Sequence, residues 1–254
     1  MTPVTTAVIL AAGRGTRLAG EVSDRPKGLL RIGERPIIEE SIVSLADAGI
    51  QDVILVTGHL APLYEQFVRR FPAVRTVHNE RFADSGSLYS LYQARCLVRG
   101  SFLLLESDLV YEPRALATLL EGPDEDAILV SGPTAAGDEV YVAIEAGRLA
   151  GMSKRREALA GTIAGELVGI TRASPALFEL MCRYGEQEFA TTLMRDYETD
   201  GLVAAGKERA IACPVVPDLV WGEIDDASQL ARVRERVWPE IERRRRTAVA
   251  QAGH

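Results

Sequence analysis

Between Ala11 and Leu18 the chain reads AAGRGTRL, and Lys27 follows within an Arg-Pro-Lys-Gly turn. Glycine has no Cβ to hold a ligand off the backbone, so a loop containing Gly13 and Gly15 lets N–H groups approach phosphate oxygens. Arg14, Arg17 and Lys27 supply countercharge, which a purely structural turn would not need. Leu10, Ala11, Ala12, Gly13, Arg14, Gly15 and Thr16 are therefore the candidate cradle for a polyphosphate. Two acidic groups stand far away in sequence: Glu106 with Asp108, and Glu223 with Asp225 and Asp226. Carboxylates beside phosphates are the usual way to hold Mg²⁺, which takes one or two of them and completes its shell with water and phosphate. Asp226 is also a natural helix N-cap.

These residues need a frame that brings them to one place. Apolar runs at Ala7–Leu10, Val53–Val56, Val74–Val77 and Phe102–Leu105 read as buried strands, alternating with helical periodicity over Pro36–Ala48, Pro62–Arg70 and Leu88–Val98. Ser85 or Ser87 is placed to cap the last of these helices. Such alternation implies βαβ units and a mainly parallel sheet, whose ligands lie beyond the carboxyl ends of its strands. The loops at 11–18 and 78–87 and the acids at 106–108 all follow strands, so one rim should carry all three. From Ala127 the rhythm changes: 127–130, 139–144, 148–153 and 166–171 read as strands without helices between them, an antiparallel insertion at 127–171 within a single domain spanning 1–254. Helices are expected at 174–183, 189–205 and 227–246, with late strands at 210–213 and 220–224. Arg243–Arg246 would then complement the dipole at the last helix's C-terminus.

Composition narrows the function classes. The 254 residues are 47% hydrophobic and 26% charged, enough for a sizeable core. A net charge of −7 argues against a general nucleic-acid or anionic-membrane binder and makes the basic loop a local site. Three cysteines, Cys96, Cys182 and Cys213, are widely spaced and odd in number, fit a reducing compartment and read as small core residues. With no apolar run near the roughly 20 residues of a membrane span and no signal-like start, the cytoplasm is the expected location. The glycine loop lacks both the G-x-G-x-x-G spacing with a distal ribose-binding acid and the G-x-x-x-x-G-K-[ST] pattern. His59 and His78 have no second ligand at metal spacing and read as edge residues.

The run LAAGRGTRL followed by Lys27 resembles the signature of the sugar-nucleotidyltransferase, or MobA-like NTP transferase, family. The resemblance implies a three-layer, Rossmann-like α/β fold in which the loop grips the triphosphate. It implies that Arg14, Arg17 and Lys27 offset charge at the α-phosphate and leaving pyrophosphate, with Arg17 and Lys27 the catalytic pair. The same resemblance places metal-binding aspartates at Asp108 (LLLESDLVYE) and Asp225 (WGEIDDASQL), with Mg²⁺ as cofactor. The stretch NERFADSGSLYSLY resembles the branch that activates phosphocholine and 2-aminoethylphosphonate with CTP, which brings Ser85, Gly86 and Ser87 to the nucleotide. A cationic acceptor would seek carboxylates or an aromatic face, worth roughly 0.5–2 kcal/mol for a cation over a ring. Trp221, Glu139, Tyr141 and Glu166 are the candidates, with Lys154 for the acceptor's phosphate or phosphonate. 2-Aminoethylphosphonate leads, ahead of phosphocholine and then an inositol or sugar phosphate. A non-catalytic nucleotide sensor is the rival from another class, and a homodimer is left open.

Overall fold

A computed structural model describes residues 3–18 and 25–252, so part of the stretch between Leu18 and Lys27 lies outside the described residues. The apolar runs form β1 (Thr6–Ala11), β2 (Asp52–Thr57), β3 (Val74–His78) and β4 (Phe102–Glu106). They pair in parallel in the order β4-β1-β2-β3. Their connections carry α1 (Ile37–Asp47), α2 (Ala61–Val68) and α3 (Ser87–Gln93). Val8, Ile9, Ile54, Leu55, Leu104 and Leu105 are buried, alternating between a core on each face of the sheet. That is the pattern of strands covered by helices on both sides. The cap expected for α3 is absent: Gly86 occupies the N-cap position, and the Ser87 hydroxyl instead accepts from the Tyr197 N–H.

A short β5 (Leu109–Tyr111) and α4 (Arg114–Glu121) lead to β6 (Ala127–Ser131). The antiparallel pieces are β7 (Tyr141–Glu145), β8 (Arg148–Ser153) and a long β9 (Thr162–Ala173). β9 lies between β4 and β6, antiparallel to both, and also pairs with β7, so these strands extend the central sheet.

The helix α5 (Pro175–Glu188) is capped by Ser174, whose hydroxyl accepts from the Leu177 N–H. The single helix expected over 189–205 does not form. The backbone at 193–195 hydrogen-bonds that of 86–88, a π-turn spans Tyr197–Leu202, and only α6 (Val203–Gly206) is α-helical. Thr191, Thr192, Asp196, Thr199 and Gly201 are poor helix formers, so tertiary pairing prevails.

The expected strand at 210–213 is reduced to isolated bridges at Ala212, and β10 (Val215–Val216) pairs with β6. β11 (Trp221–Glu223) pairs antiparallel with β5. After it come α7 (Ala227–Arg232), a π-turn over Val233–Val237 and α8 (Trp238–Ala252). Arg243–Arg246 sit well inside α8, not at its end. Arg244 pairs with Glu112 at 3.0 Å and Arg245 with Glu40 at 3.1 Å, clamping the helix to the body. Among the cysteines only Cys213 is buried; Cys96 is exposed. Among the described residues no helix is long and apolar enough to cross a membrane.

Candidate active site

The opening loop leaves β1 and is braced at once. Gly58, at the end of β2, packs so closely on it that a Cβ there would stand 2.7 Å from the Ala12 carbonyl oxygen, and His59 N–H donates to that same oxygen at 3.1 Å. Open space lies over Gly13, where a Cβ would meet nothing within 4 Å. Gly15 adopts φ +60°, a left-handed conformation that glycine tolerates without steric cost, and the Lys27 stem runs past it. This geometry divides the predicted loop. Leu10, Ala11, Ala12, Gly13 and Arg17 line a cleft of about 260 Å³, whereas Arg14, Gly15 and Thr16 are not on its described wall, and Arg14 is exposed.

The acids converge through strand register. β11 sets Glu223 opposite Leu109, so it lies beside Asp108, and Asp225, two residues on along an extended chain, reaches the same place. Lys27 bridges the two aspartates. Its Nζ donates to Asp108 Oδ2 at 3.1 Å and also to Asp225 Oδ1, while Arg17 Nη2 donates to Asp225 Oδ2 at 2.8 Å. Asp226 takes the other role open to the pair: its carboxylate accepts from Gln229 N–H and caps α7.

Burial works against the Lys27 charge, but Asp108 and Asp225 outweigh it and leave the amine above its ordinary pKa. Burial also pushes Asp225 up, yet Lys27 and Arg17 hold it below its ordinary value. Asp108 is raised by burial and by neighbouring Asp225, with Lys27 opposing. Carboxylate oxygens of Glu106, Asp108 and Glu223 lie within 4.8 Å of one another. Glu106 and Glu223 are both raised well above the usual range, first by burial and then by the surrounding carboxylates, Glu198 among them. Such crowded, desolvated acids favour a cation in their midst. An all-oxygen, anionic donor set is the chemistry hard divalent ions select, so Asp108 with its neighbours suits Mg²⁺; Asp225 stands outside that trio, its two oxygens taken by Lys27 and Arg17.

The remaining predicted residues divide. Ser85, Gly86 and Ser87 line the cleft, and a Cβ on Gly86 would stand 2.3 Å from the Arg195 carbonyl oxygen, so the segment cannot carry a side chain there. Lys154 also lines it. Glu139, Glu166 and Trp221 face a smaller recess of about 30 Å³ behind the acids, and Tyr141 borders neither space. Glu166 accepts from both the N–H and hydroxyl of Thr134, and Glu139 from Gly137 N–H, so both carboxylates are spent on the 132–140 loop. The Trp221 indole N–H donates to Ser131 Oγ at 2.8 Å, and its ring belongs to the core.

The cleft carries acids that sequence reasoning missed: Asp138, Asp196 and Glu198. Asp138 accepts from Gln229 Nε2 at 2.6 Å and lies 3.7 Å from Arg17. Asp196 is the extended residue before the π-turn and Glu198 lies in its first turn, so assigning 189–205 to one α-helix hid them. Tyr64 and Phe82 also line the cleft, with His59 and His78 grouped around Phe82 at centroid distances of 5.9 and 6.4 Å. Burial pushes the Tyr64 phenol up to about 12, so it stays neutral.

A relative from Streptomyces rubellomurinus, named CMP-5'-(3-aminopropyl)phosphonate synthase, is 32% identical over 94% of this chain and 40% of its own length. The choline-phosphate cytidylyltransferase of Streptococcus pneumoniae is 36% identical over 39% of the chain, and the 2-aminoethylphosphonate cytidylyltransferase of Lancefieldella rimae 36% over 42%. The chain thus spans less than half the length of each of these relatives, 40%, 42% and 44% in turn. The inositol-1-phosphate CTP transferase structure from T. maritima superposes with a TM-score of 0.76 at 19% identity, covering 92% of this chain and 98% of that one, a likeness of fold. Residues 7–162, more than half of the chain, match the MobA-like NTP transferase domain, and the chain belongs to that family.

Proposed function

We propose that the chain transfers CMP from CTP to the oxygen of a small phosphonate or phosphate acceptor bearing a cationic amine, with release of pyrophosphate. 2-Aminoethylphosphonate is the leading acceptor and phosphocholine the second. The observation that carries this reading is the gathering of Glu106, Asp108 and Glu223 oxygens within 4.8 Å of one another in the cleft that also holds Lys27 and Arg17. Three acceptors at hydrogen-bond distance from one ammonium nitrogen, at tetrahedral angles, stand about 4.6 Å apart. A trimethylammonium group holds carboxylates off with its methyl shell, which favours the primary amine. The relatives named for aminoalkylphosphonates and choline phosphate support an acceptor of this class.

The acceptor's phosphonate or phosphate is already anionic at neutral pH and needs no general base. Its oxygen attacks the α-phosphorus of CTP; the new O–P bond forms as the bond to the β-phosphate breaks, and pyrophosphate carries off the charge. The backbone around Gly13 receives the triphosphate, while Lys27 and Arg17 stabilise the charge that grows on the α-phosphate and leaving group. Catalysis is thus positioning and electrostatics. Asp108 and Asp225 would hold Mg²⁺, which supplies charge neutralisation between phosphate oxygens. In this reading Lys154, which lines the cleft, meets the acceptor's anionic end, and Glu198 stands behind its amine. The test is pyrophosphate release from four NTPs against a panel of phosphonate and phosphate acceptors. CTP with 2-aminoethylphosphonate should be fastest; equal rates with UTP or ATP would sink the base assignment.

A further inference from the structure

Lys27 faces two aspartates from a turn that must itself be held. That turn, Lys27–Leu29, is a single 3₁₀ turn closed by Leu30 N–H on the Lys27 carbonyl, with no cap of its own. Its fixed point is Gly28, whose N–H donates to the Tyr64 hydroxyl at 3.2 Å. A Cβ on Gly28 would stand 2.7 Å from that hydroxyl and 3.0 Å from the Ser107 carbonyl oxygen, so the turn sits directly on the end of β4. Tyr64 comes from α2 and is 1% exposed, so this bond is made out of water. One buried phenol oxygen therefore holds the residue after Lys27, and that residue packs directly on the one before Asp108.

We infer that Tyr64 is a positioning residue, whose hydroxyl sets Lys27 against Asp108 and Asp225 by anchoring the Lys27 turn to α2 where that turn packs on the strand end that carries Asp108. α2 thereby takes part in the site without supplying a group that meets the phosphates. The kinetic arm of the test rests on the cytidylyltransferase reading; the spectroscopic arm does not.

The test is Tyr64→Phe, which keeps the ring and removes the oxygen. The ¹⁵N-resolved ammonium signal of Lys27, assigned by its loss in Lys27→Met, should shift or broaden in Tyr64→Phe. Pyrophosphate release should lose about tenfold in kcat, with KM for CTP held within about twofold, since misplacing a charge-stabilising group costs the transition state more than the ground state. Gly28→Ala, which pushes the turn off the same oxygen, should reproduce both effects and serves if Tyr64→Phe does not fold. An unmoved Lys27 signal overturns the inference whatever the rate does, and so does a moved signal with unchanged kcat. If the wild-type chain releases no pyrophosphate with any acceptor, the functional reading fails and the Lys27 signal alone decides the role of Tyr64.

Discussion

The wall of the cleft proposed to face phosphates is drawn mainly from Leu10, Ala11, Ala12, Gly13, Arg17 and Lys27, near neighbours in the chain. The acid wall draws Glu106, Asp108, Asp138, Glu198 and Glu223 from separate segments spread over more than a hundred residues. The first wall depends on local backbone chemistry, a strand end and two glycines. The second depends on register, because β11 must pair with β5 in one alignment for Glu223 and Asp225 to meet Asp108. The first can be stabilising in itself, whereas the second gathers like charges out of water at a cost to stability, which Lys27 offsets at Asp108 and a bound cation would offset at Glu106 and Glu223.

Substitutions should separate the two walls, and the largest effect is expected where they touch. Asp108→Ala should lower Mg²⁺-dependent pyrophosphate release by about a thousandfold or more while circular dichroism shows the fold intact. Undiminished turnover would remove Asp108 from metal binding. Glu223→Gln acts on the acid wall alone: initial rates should show the acceptor KM rising about tenfold, with KM for CTP within about twofold. A change confined to CTP would assign Glu223 to the wrong wall.

Stability should move the opposite way. Glu106, Glu198 and Glu223 have folded-state pKa values above their unfolded ones, so between the two values the folded chain binds more protons. These groups therefore cost stability increasingly as pH rises from the ordinary glutamate range through their raised values. Thermal unfolding without ligands should show Glu223→Gln more stable than the wild type at neutral pH, the gain fading towards pH 4.5; a lower Tm would contradict the cost assigned to the acid wall. The smallest effect belongs to Asp226→Ala, which removes a cap worth about 1 kcal/mol and should lower Tm slightly with kcat retained. A large loss of kcat there would mean that Asp226, not only Asp225, serves the site.

The same contrast governs what could be read from the residues alone. Parallel strands, three of the helices and the loop were legible because each is encoded within a dozen residues by periodicity and glycine placement. Asp108 and Asp225 were found as strand-end acids within motifs. Asp196 and Glu198 escaped because residues 193–195 take their conformation from pairing with 86–88, which no local pattern announces. Trp221 was misjudged as a cleft residue because an indole beside acids looks like a cation platform, and only the β11–β5 register shows the ring turned to Ser131. Arg14 lies exposed and off the cleft's described wall, a direction that charge in a loop does not announce.

The long strand β9 has a consequence for how this chain is made. It is hydrogen-bonded to β4 on one side and β6 on the other, yet it is synthesised after both, and the family match ends at its first residue. Until it emerges, β4 presents a bare edge and β6 has no connection to the parallel strands, so the nascent chain is open to mispairing over that interval. Closure of the sheet is a late, non-local event, the kind of step that slows folding. A fragment stopped at residue 162 would keep the signature loop and Asp108 and lose the seam that joins the two halves.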